Sequence, residues 1–318
     1  MKRSLAVLLL FTFLFILLLL SSCFIQPQIS SSYSSSSSSF PSSSSSSSPP
    51  PPSSFSPFPP PSLLTFGVLS DAQGDASGVK ELVDQFSAER AHFILFLGDA
   101  NEYGNNISDI DEMIEVFTAL SSANISVYAI PGNHENKMDY YTALASVNSS
   151  LLIDLSSGGF YNAAGVDFFA VPGYYRRHFP SDAGFVYDSF NLSVPLTSDP
   201  IFVLSHGPPY SPPRSSRGLG LDLTLYGKSV GDPQITALLQ QNNLSFGFFG
   251  HIHEDGGIAV DCSGKRVAEN VWSDCLFLNP GSVVPWILIN GSKSPGSAAI
   301  VVYDVDKKRM KYKMVFLS

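Results

Sequence analysis

Positive charge is scarce in this chain. Eighteen Lys and Arg stand against 27 Asp and Glu over 318 residues, a formal net charge of −9 with a pI of about 5.0. That balance argues against bulk nucleic-acid binding, which needs a basic face. Residues 24 to about 62 carry no charge at all. No repeat of the solenoid kind runs through the sequence. No Gly-x-Ser-x-Gly elbow surrounds Ser205 or Ser282, which speaks against a Ser-His-Asp hydrolase. Cysteine is limited to Cys23, Cys262 and Cys275.

What is present begins with an export pattern. Lys2 and Arg3 precede an apolar run from Leu5 to Leu20, broken only by Thr12. Ser21, Ser22 and Cys23 follow. A basic start, an apolar stretch and small residues describe a secretory signal. Leu20-Ser21-Ser22-Cys23 also resembles a lipoprotein cleavage box, with Cys23 as the lipidated residue. A signal anchor is the other reading, for which the run is short of a span of about 20 residues. Either reading keeps Lys2 and Arg3 inside and the domain outside. Membrane association through an N-terminal lipid or anchor, and an extracytoplasmic location, are therefore expected. Residues 24 to 62 are dominated by Ser and Pro, the composition of a tether stiffened locally by Pro49 to Pro52 and Pro59 to Pro61. Residues 63 to 318 remain for one large domain. In an oxidising compartment Cys262 and Cys275, which flank an expected hairpin, are a candidate disulfide pair, with two free thiols the alternative. Six Asn-X-Ser sequons, at Asn106, Asn124, Asn148, Asn191, Asn243 and Asn290, permit glycosylation in a suitable host.

Within the domain, continuous apolar runs predict strands buried on both faces at Leu63–Ser70, Phe93–Leu97 and Ile125–Ile130. Helical spacing falls between them, over Val79–Arg90 and from Ser108 onward. This β-α-β-α-β order implies a parallel sheet with right-handed crossovers. The second half reads as strand-rich. Strands are expected at Leu151–Leu155, Phe160–Asn162, Asp167–Val171, Ile201–Leu204, Phe246–Phe249, Ile258–Asp261, Leu276–Leu278, Val283–Leu288, Ala298–Val302 and Lys311–Phe316. One helix is expected at Asp232–Gln240.

Polar segments punctuate these strands: Asp71-Ala72-Gln73, Gly98-Asp99, Gly132-Asn133-His134-Glu135, Ser205-His206-Gly207, Gly250-His251-Ile252-His253 and Asn279-Pro280-Gly281-Ser282. Four of the six histidines lie in them. In open α/β sheets ligands bind beyond the carboxyl ends of the strands. Asp, Asn and His gathered there make a site for one or two divalent metals suited to phosphate-ester hydrolysis. His251 and His253 are two residues apart, a spacing that on a strand shares one face. His92 and His178 read as structural or surface residues.

In this order the segments resemble the calcineurin-like metallophosphoesterases, over essentially residues 64 to 282. The Asn279-Pro280-Gly281-Ser282 segment is similar to the small phosphodiesterase branch. The resemblance implies a four-layer α/β/β/α sandwich of two mixed β-sheets flanked by helices. It implies two divalent metal ions, Mn, Fe or Zn ahead of Mg, and hydrolysis by attack of metal-activated hydroxide on a phosphate ester. Asp99 would bridge the metals, Asp71 and His253 would hold the first, and Asn133, His206 and His251 the second. His134 would stabilise charge or protonate the leaving oxygen, with Glu135 orienting it or merely solvated. Gln73 stands where the family usually has His, so the first site would be weaker, Asp75 would be a substitute ligand, or the site would hold one tight metal. A degenerate member that binds an anionic ligand without hydrolysis is the alternative. The loops after Val171 and His206 supply Tyr174, Tyr175, Tyr210, Arg176, Arg177, Arg214 and Arg217 as candidates for gripping the phosphate or stacking on the substrate.

Overall fold

The structure is a computed structural model that describes residues 62–102, 109–177, 184–197, 199–211 and 220–318. The expected export signal and tether, Arg214, Arg217 and His178 lie outside them. Among the described residues no helix is long and apolar enough to cross a membrane.

Strand β1 (Leu63–Leu69) leads to α1 (Ala76–Ala88), β2 (Phe93–Phe96), α2 (Asp109–Leu120), β3 (Ser126–Ala129), α3 (Lys137–Val147) and β4 (Leu152–Asp154). Then come β5 (Gly159–Ala163), β6 (Val166–Val171), β7 (Tyr174–Tyr175), β8 (Val186–Tyr187) and β9 (Ile201–Ser205). Helix α4 (Pro233–Gln241) precedes β10 (Phe246–Phe249), β11 (Ala259–Val260), β12 (Leu276–Leu278), β13 (Trp286–Ile287), β14 (Lys293–Ser294), β15 (Ser297–Asp304) and β16 (Arg309–Phe316).

Two six-stranded sheets result, ordered β16-β15-β1-β2-β3-β4 and β11-β12-β10-β9-β6-β5. In the first, β1 to β4 run parallel and β15 closes antiparallel on β1. In the second, β6, β9, β10 and β12 run parallel. Strand alternation explains why both sheets bury both faces. Phe93 and Leu95 of β2 point into the layer between the sheets, beside Phe66, Phe168, Phe202 and Phe248. Ile94 and Phe96 point the other way, onto α1 and α2 through Val83, Phe86 and Phe117. On the far side, Val203 and Phe249 pack against Ile235 and Leu238 of α4. Helix, sheet, sheet, helix is the architecture the resemblance implied.

Several local expectations need correction. Val283–Leu288 is not one strand: only Trp286–Ile287 pairs, in a short antiparallel hairpin with Lys293–Ser294. Val283 instead donates its N–H to the backbone beside the site, 3.2 Å from Ser70 O, and Pro285 has no N–H to extend a ladder. Helix α3 has no counterpart in the sequence reading. Its apolar signal is weak because only Tyr140 and Ala143 are buried, and Asn136 starts it by accepting from Met138 N. Asp75 is the N-cap of α1, accepting from Gly78 N at 2.9 Å. His92 is structural, its Nδ1 3.1 Å from Thr65 N.

Cys262 and Cys275 are bridged. Val260 of β11 pairs with Phe277 of β12 in antiparallel register, so two residues farther out on each strand bring the cysteines opposite each other. The link spans 13 residues of chain, worth about 3 kcal/mol in the chain-entropy account. Reduction is expected to lower stability by about that amount. Urea unfolding with and without dithiothreitol measures it, and coincident curves would contradict it.

Candidate metal centre

The polar segments meet where the parallel strands of both sheets end. Asp71 follows β1, Asp99 follows β2, Asn133 follows β3, His206 follows β9 and His251 follows β10. Three of these residues hold left-handed backbone: Asp71 and Asp99 at φ +57°, His251 at φ +65°. Non-glycine residues rarely stay there unless the surroundings over-determine them, and such strain gathers at functional sites. The surroundings here are explicit. Asp71 N–H donates to Gly98 O (2.9 Å) and Gln73 N–H to Asp99 O (3.0 Å), stitching the first two loops together. Asp71 Oδ2 accepts from His251 N (3.0 Å), reaching across to the second sheet.

Asp99 is the hub. Its Oδ1 accepts from Asn133 N (2.8 Å) and His134 N (3.0 Å). Its Oδ2 lies 3.3 Å from His206 Nε2 and 3.4 Å from His134 Nε2. Burial raises the Asp99 carboxyl, but the His206 and His134 imidazoles outweigh burial and hold it below the usual carboxylate range. Gly132 makes room for this carboxylate: a Cβ there would sit 2.1 Å from Asp99 Oδ1.

His206 is fully buried, and its Nδ1 lies 2.8 Å from Leu97 O. A carbonyl only accepts, so Nδ1 carries a proton. Nε2 then faces three partners: Asn133 Oδ1 at 2.9 Å, His251 Nδ1 at 3.2 Å and Asp99 Oδ2 at 3.3 Å. Burial pushes the His206 imidazole down, and the Asp99 charge with Asp71 and Glu135 overrides it, raising it to about 10. His251 is pushed down to about 3, by burial and by His206 beside it. Asp99, His206 and His251 offer ligand atoms within 4.8 Å of one another, a group fit to hold a cation.

Beside them lies a second set. His253 Nε2 is 3.1 Å from Asp71 Oδ1 and 3.5 Å from Gln73 Nε2. Turning the Gln73 amide over presents its oxygen to the same point. His251 and His253 do not share a strand face as their spacing suggested. β10 ends at Phe249, His251 takes its left-handed turn, and a single 3-10 turn opens at His253. The turn lets His251 reach His206 while His253 reaches Asp71.

Other side chains hold the loops. Glu135 is neither solvated nor directed at His134. Its Oε1 accepts from Ala100 N and its Oε2 from Gly132 N, each at 2.8 Å, tying the second loop to the third. Burial, reinforced by the Asp99 charge, raises its carboxyl to about 7. His134 turns its Nδ1 to Asn101 O (3.1 Å). Ser282 Oγ donates to Asp71 O (3.0 Å) and Asn279 Nδ2 to Ile252 O (2.8 Å), so the Asn-Pro-Gly-Ser segment clamps the loops on either side.

Tyr174 packs its ring against His251, centroids 4.1 Å apart at a tilt of 36°, and its hydroxyl donates to Val230 O. It is buried and packs the site instead of facing a substrate. Arg176 pairs with Asp188 at 3.3 Å and Arg177 is exposed. Sequence reasoning had no signal for Trp286, whose ring meets His253 edge to face at 4.5 Å.

The residues fit divalent metals on chemical grounds. One proton on His206 Nε2 can serve one of its three neighbours, whereas a cation at the shared point satisfies all three. Two carboxylates, three imidazoles and two amide oxygens in adjoining sets suit ions that take both N and O ligands.

A family model of the calcineurin-like phosphoesterases matches residues 64–255. Among curated proteins none matches this chain. Among solved structures, TT1561 of Thermus thermophilus aligns at 15% identity over 79% of this chain and 98% of its own, with a TM-score of 0.51. A dimetal phosphatase from Danio rerio aligns at 16% identity over 80% and 99%, with a TM-score of 0.45. YfcE, a phosphoesterase from E. coli, aligns at 15% identity over 80% and 100%, with a TM-score of 0.36. The first likeness speaks for the fold, and the other two are too distant to add to it. With the matched model covering most of the chain, and the sandwich with its loop-end centre in place, the chain belongs to the calcineurin-like phosphoesterases, metal-dependent hydrolases of phosphoric esters.

Proposed function

We propose that this protein is a phosphodiesterase acting outside the cytoplasmic membrane. The observation that carries the site assignment is the convergence of Asp99, Asn133 and His251 on Nε2 of the buried His206. Asn133, His206 and His251 would hold one metal and Asp71, Gln73 and His253 the other, with Asp99 placed between the two sets. Divalent ions bound there polarise the phosphoryl oxygens and make water a competent nucleophile near neutral pH. The chain's own groups do the rest. Leu97 O fixes the His206 tautomer, as carbonyl partners do for ligating imidazoles. Glu135 holds the Asp99 and Asn133 loops in register. His134 donates its Nδ1–H to Asn101 O, which turns Nε2 to the centre; as the imidazolium, the ring gives its Nε2 proton to the departing ester oxygen and is left neutral.

The test strips the full-length protein with chelator, restores Mn, Zn, Fe or Mg singly, and follows bis-p-nitrophenyl phosphate against p-nitrophenyl phosphate. Metal-dependent cleavage with the diester preferred is expected. Silence with every metal, from folded protein, would favour a member that binds an anionic ligand without turnover, a reading Gln73 motivates. Gln73→His then discriminates. Imidazole suits Zn and Fe better than a neutral amide oxygen, so metal affinity rises by at least about tenfold, the scale on which metal-site residues act. Calorimetric titration measures it, and unchanged affinity removes Gln73 from the ligand set.

The location is supported by Lys2, Arg3, the Leu5–Leu20 run and Cys23, together with a bridged cysteine pair of the kind that persists in oxidising compartments. In a host that processes lipoproteins, Cys23→Ser is expected to abolish radiolabelled fatty-acid incorporation. Undiminished labelling would rule out Cys23 as the anchor.

A further inference from the structure

The hairpin of β13 and β14 hangs from the turn that carries His253. Ile289 N–H donates to Glu254 O (2.7 Å) and Leu288 N–H to Ser292 O (2.8 Å), which fixes Trp286 beside that turn. The indole meets the His253 imidazole edge to face, centroids 4.5 Å apart at 82°. His253 is 7% exposed, whereas Trp286 keeps 39% of its surface open and Ile287 keeps 53%. Trp286 thus keeps part of a large aromatic ring open while touching a residue of the centre. The other tryptophan is used differently: Trp272 has Arg309 and Lys311 over its ring, at 4.7 and 5.0 Å. His253 is itself a proposed ligand, 3.1 Å from Asp71, so Trp286 packs directly on the proposed metal site.

We propose that Trp286 forms the subsite for an aromatic or heterocyclic group esterified to the phosphate. The substrate class is then an aryl or nucleoside-type phosphate ester in preference to a small alkyl ester. The part-open indole offers stacking, which tolerates any planar ring. This inference rests on the phosphoester reading of the centre.

Phenylphosphonate and methylphosphonate test it, since they share the anion and differ only in the ring. Each is titrated calorimetrically into Mn-loaded full-length protein. Wild type is expected to favour the phenyl compound by about tenfold, the low end of what aromatic stacking supplies. Trp286→Ala is expected to remove that preference while changing methylphosphonate affinity less than about twofold, and Trp286→Phe to keep most of it. Trp286→Leu keeps apolar bulk without a ring and should lose the preference while its melting temperature holds. Parallel weakening of both ligands, an unchanged preference in Trp286→Ala, or no preference in wild type would overturn the subsite. Hydrolysis is scored separately on bis-p-nitrophenyl phosphate. No turnover with the phenyl preference intact sinks the hydrolase reading and leaves the subsite standing; turnover with that preference unmoved by Trp286→Ala does the reverse.

Discussion

Asp99→Asn lowers kcat/KM for bis-p-nitrophenyl phosphate by at least about 10³-fold, roughly 4 kcal/mol of transition-state stabilisation at 1.36 kcal/mol per decade. The reason lies in how the two carboxylate oxygens are used. Oδ1 accepts the N–H groups of Asn133 and His134, a structural duty that an amide oxygen can continue. Oδ2 faces His206 and His134, and there the amide substitutes a donor for a charged acceptor. The variant should fold, because its loop anchor survives. It should lose metal, because the charge opposite His206 is gone and a donor now faces the shared point. Melting temperature and elemental analysis separate these effects. Near-wild-type turnover in a folded, metal-poor variant would end the two-metal assignment.

Gly132→Ala is expected to cost about 10²-fold in turnover, the penalty for displacing catalytic groups by about an ångström. A methyl group at Gly132 would lie 2.1 Å from Asp99 Oδ1 and 2.8 Å from His206 Cε1. Gly132 is absent from the positive-φ positions, so the backbone itself accepts alanine. The collision is with the site. Asp99 and His206 must move apart, or the loop must retreat from the Glu135 carboxylate that receives the Gly132 N–H. Activity should therefore fall much further than stability. Measuring kcat and the melting temperature on one preparation checks this; a large stability loss with kcat retained by the folded fraction would contradict it. Gly98→Ala is a poorer probe, since Gly98 has φ +97° and a Cβ there would strike the Gly132 backbone.

The candidate ligands were legible because they share chemical type and place: all but Gln73 are Asp, Asn or His, and all lie just beyond an apolar run. Asp75 shows where that logic stops. It is an acid two residues from Gln73, yet its carboxylate caps a helix. Glu135 shows it again, since nothing local distinguishes a solvated loop acid from one buried between Ala100 and Gly132. Helix α3 escaped notice because an amphipathic pattern requires a broad buried face, and α3 buries only Tyr140 and Ala143. Trp286 escaped because its partner His253 is 33 residues earlier, on another element.

What the sequence alone determined here is local. Apolar period and length determine the strands and helices, and turn residues set where they end. Asp, Asn and His in the following loops determine the chemistry available. Which of these groups meet depends on the packing of the two sheets. Asp71 and His253 are 182 residues apart in sequence and 3.1 Å apart in space. That distance depends on two sheets stacking through their phenylalanines, so that the carboxyl ends of both sets of parallel strands open to one side. The left-handed turns at Asp71, Asp99 and His251 belong to the same class of fact, because their strain is tolerated only when neighbours from the other loops hold them.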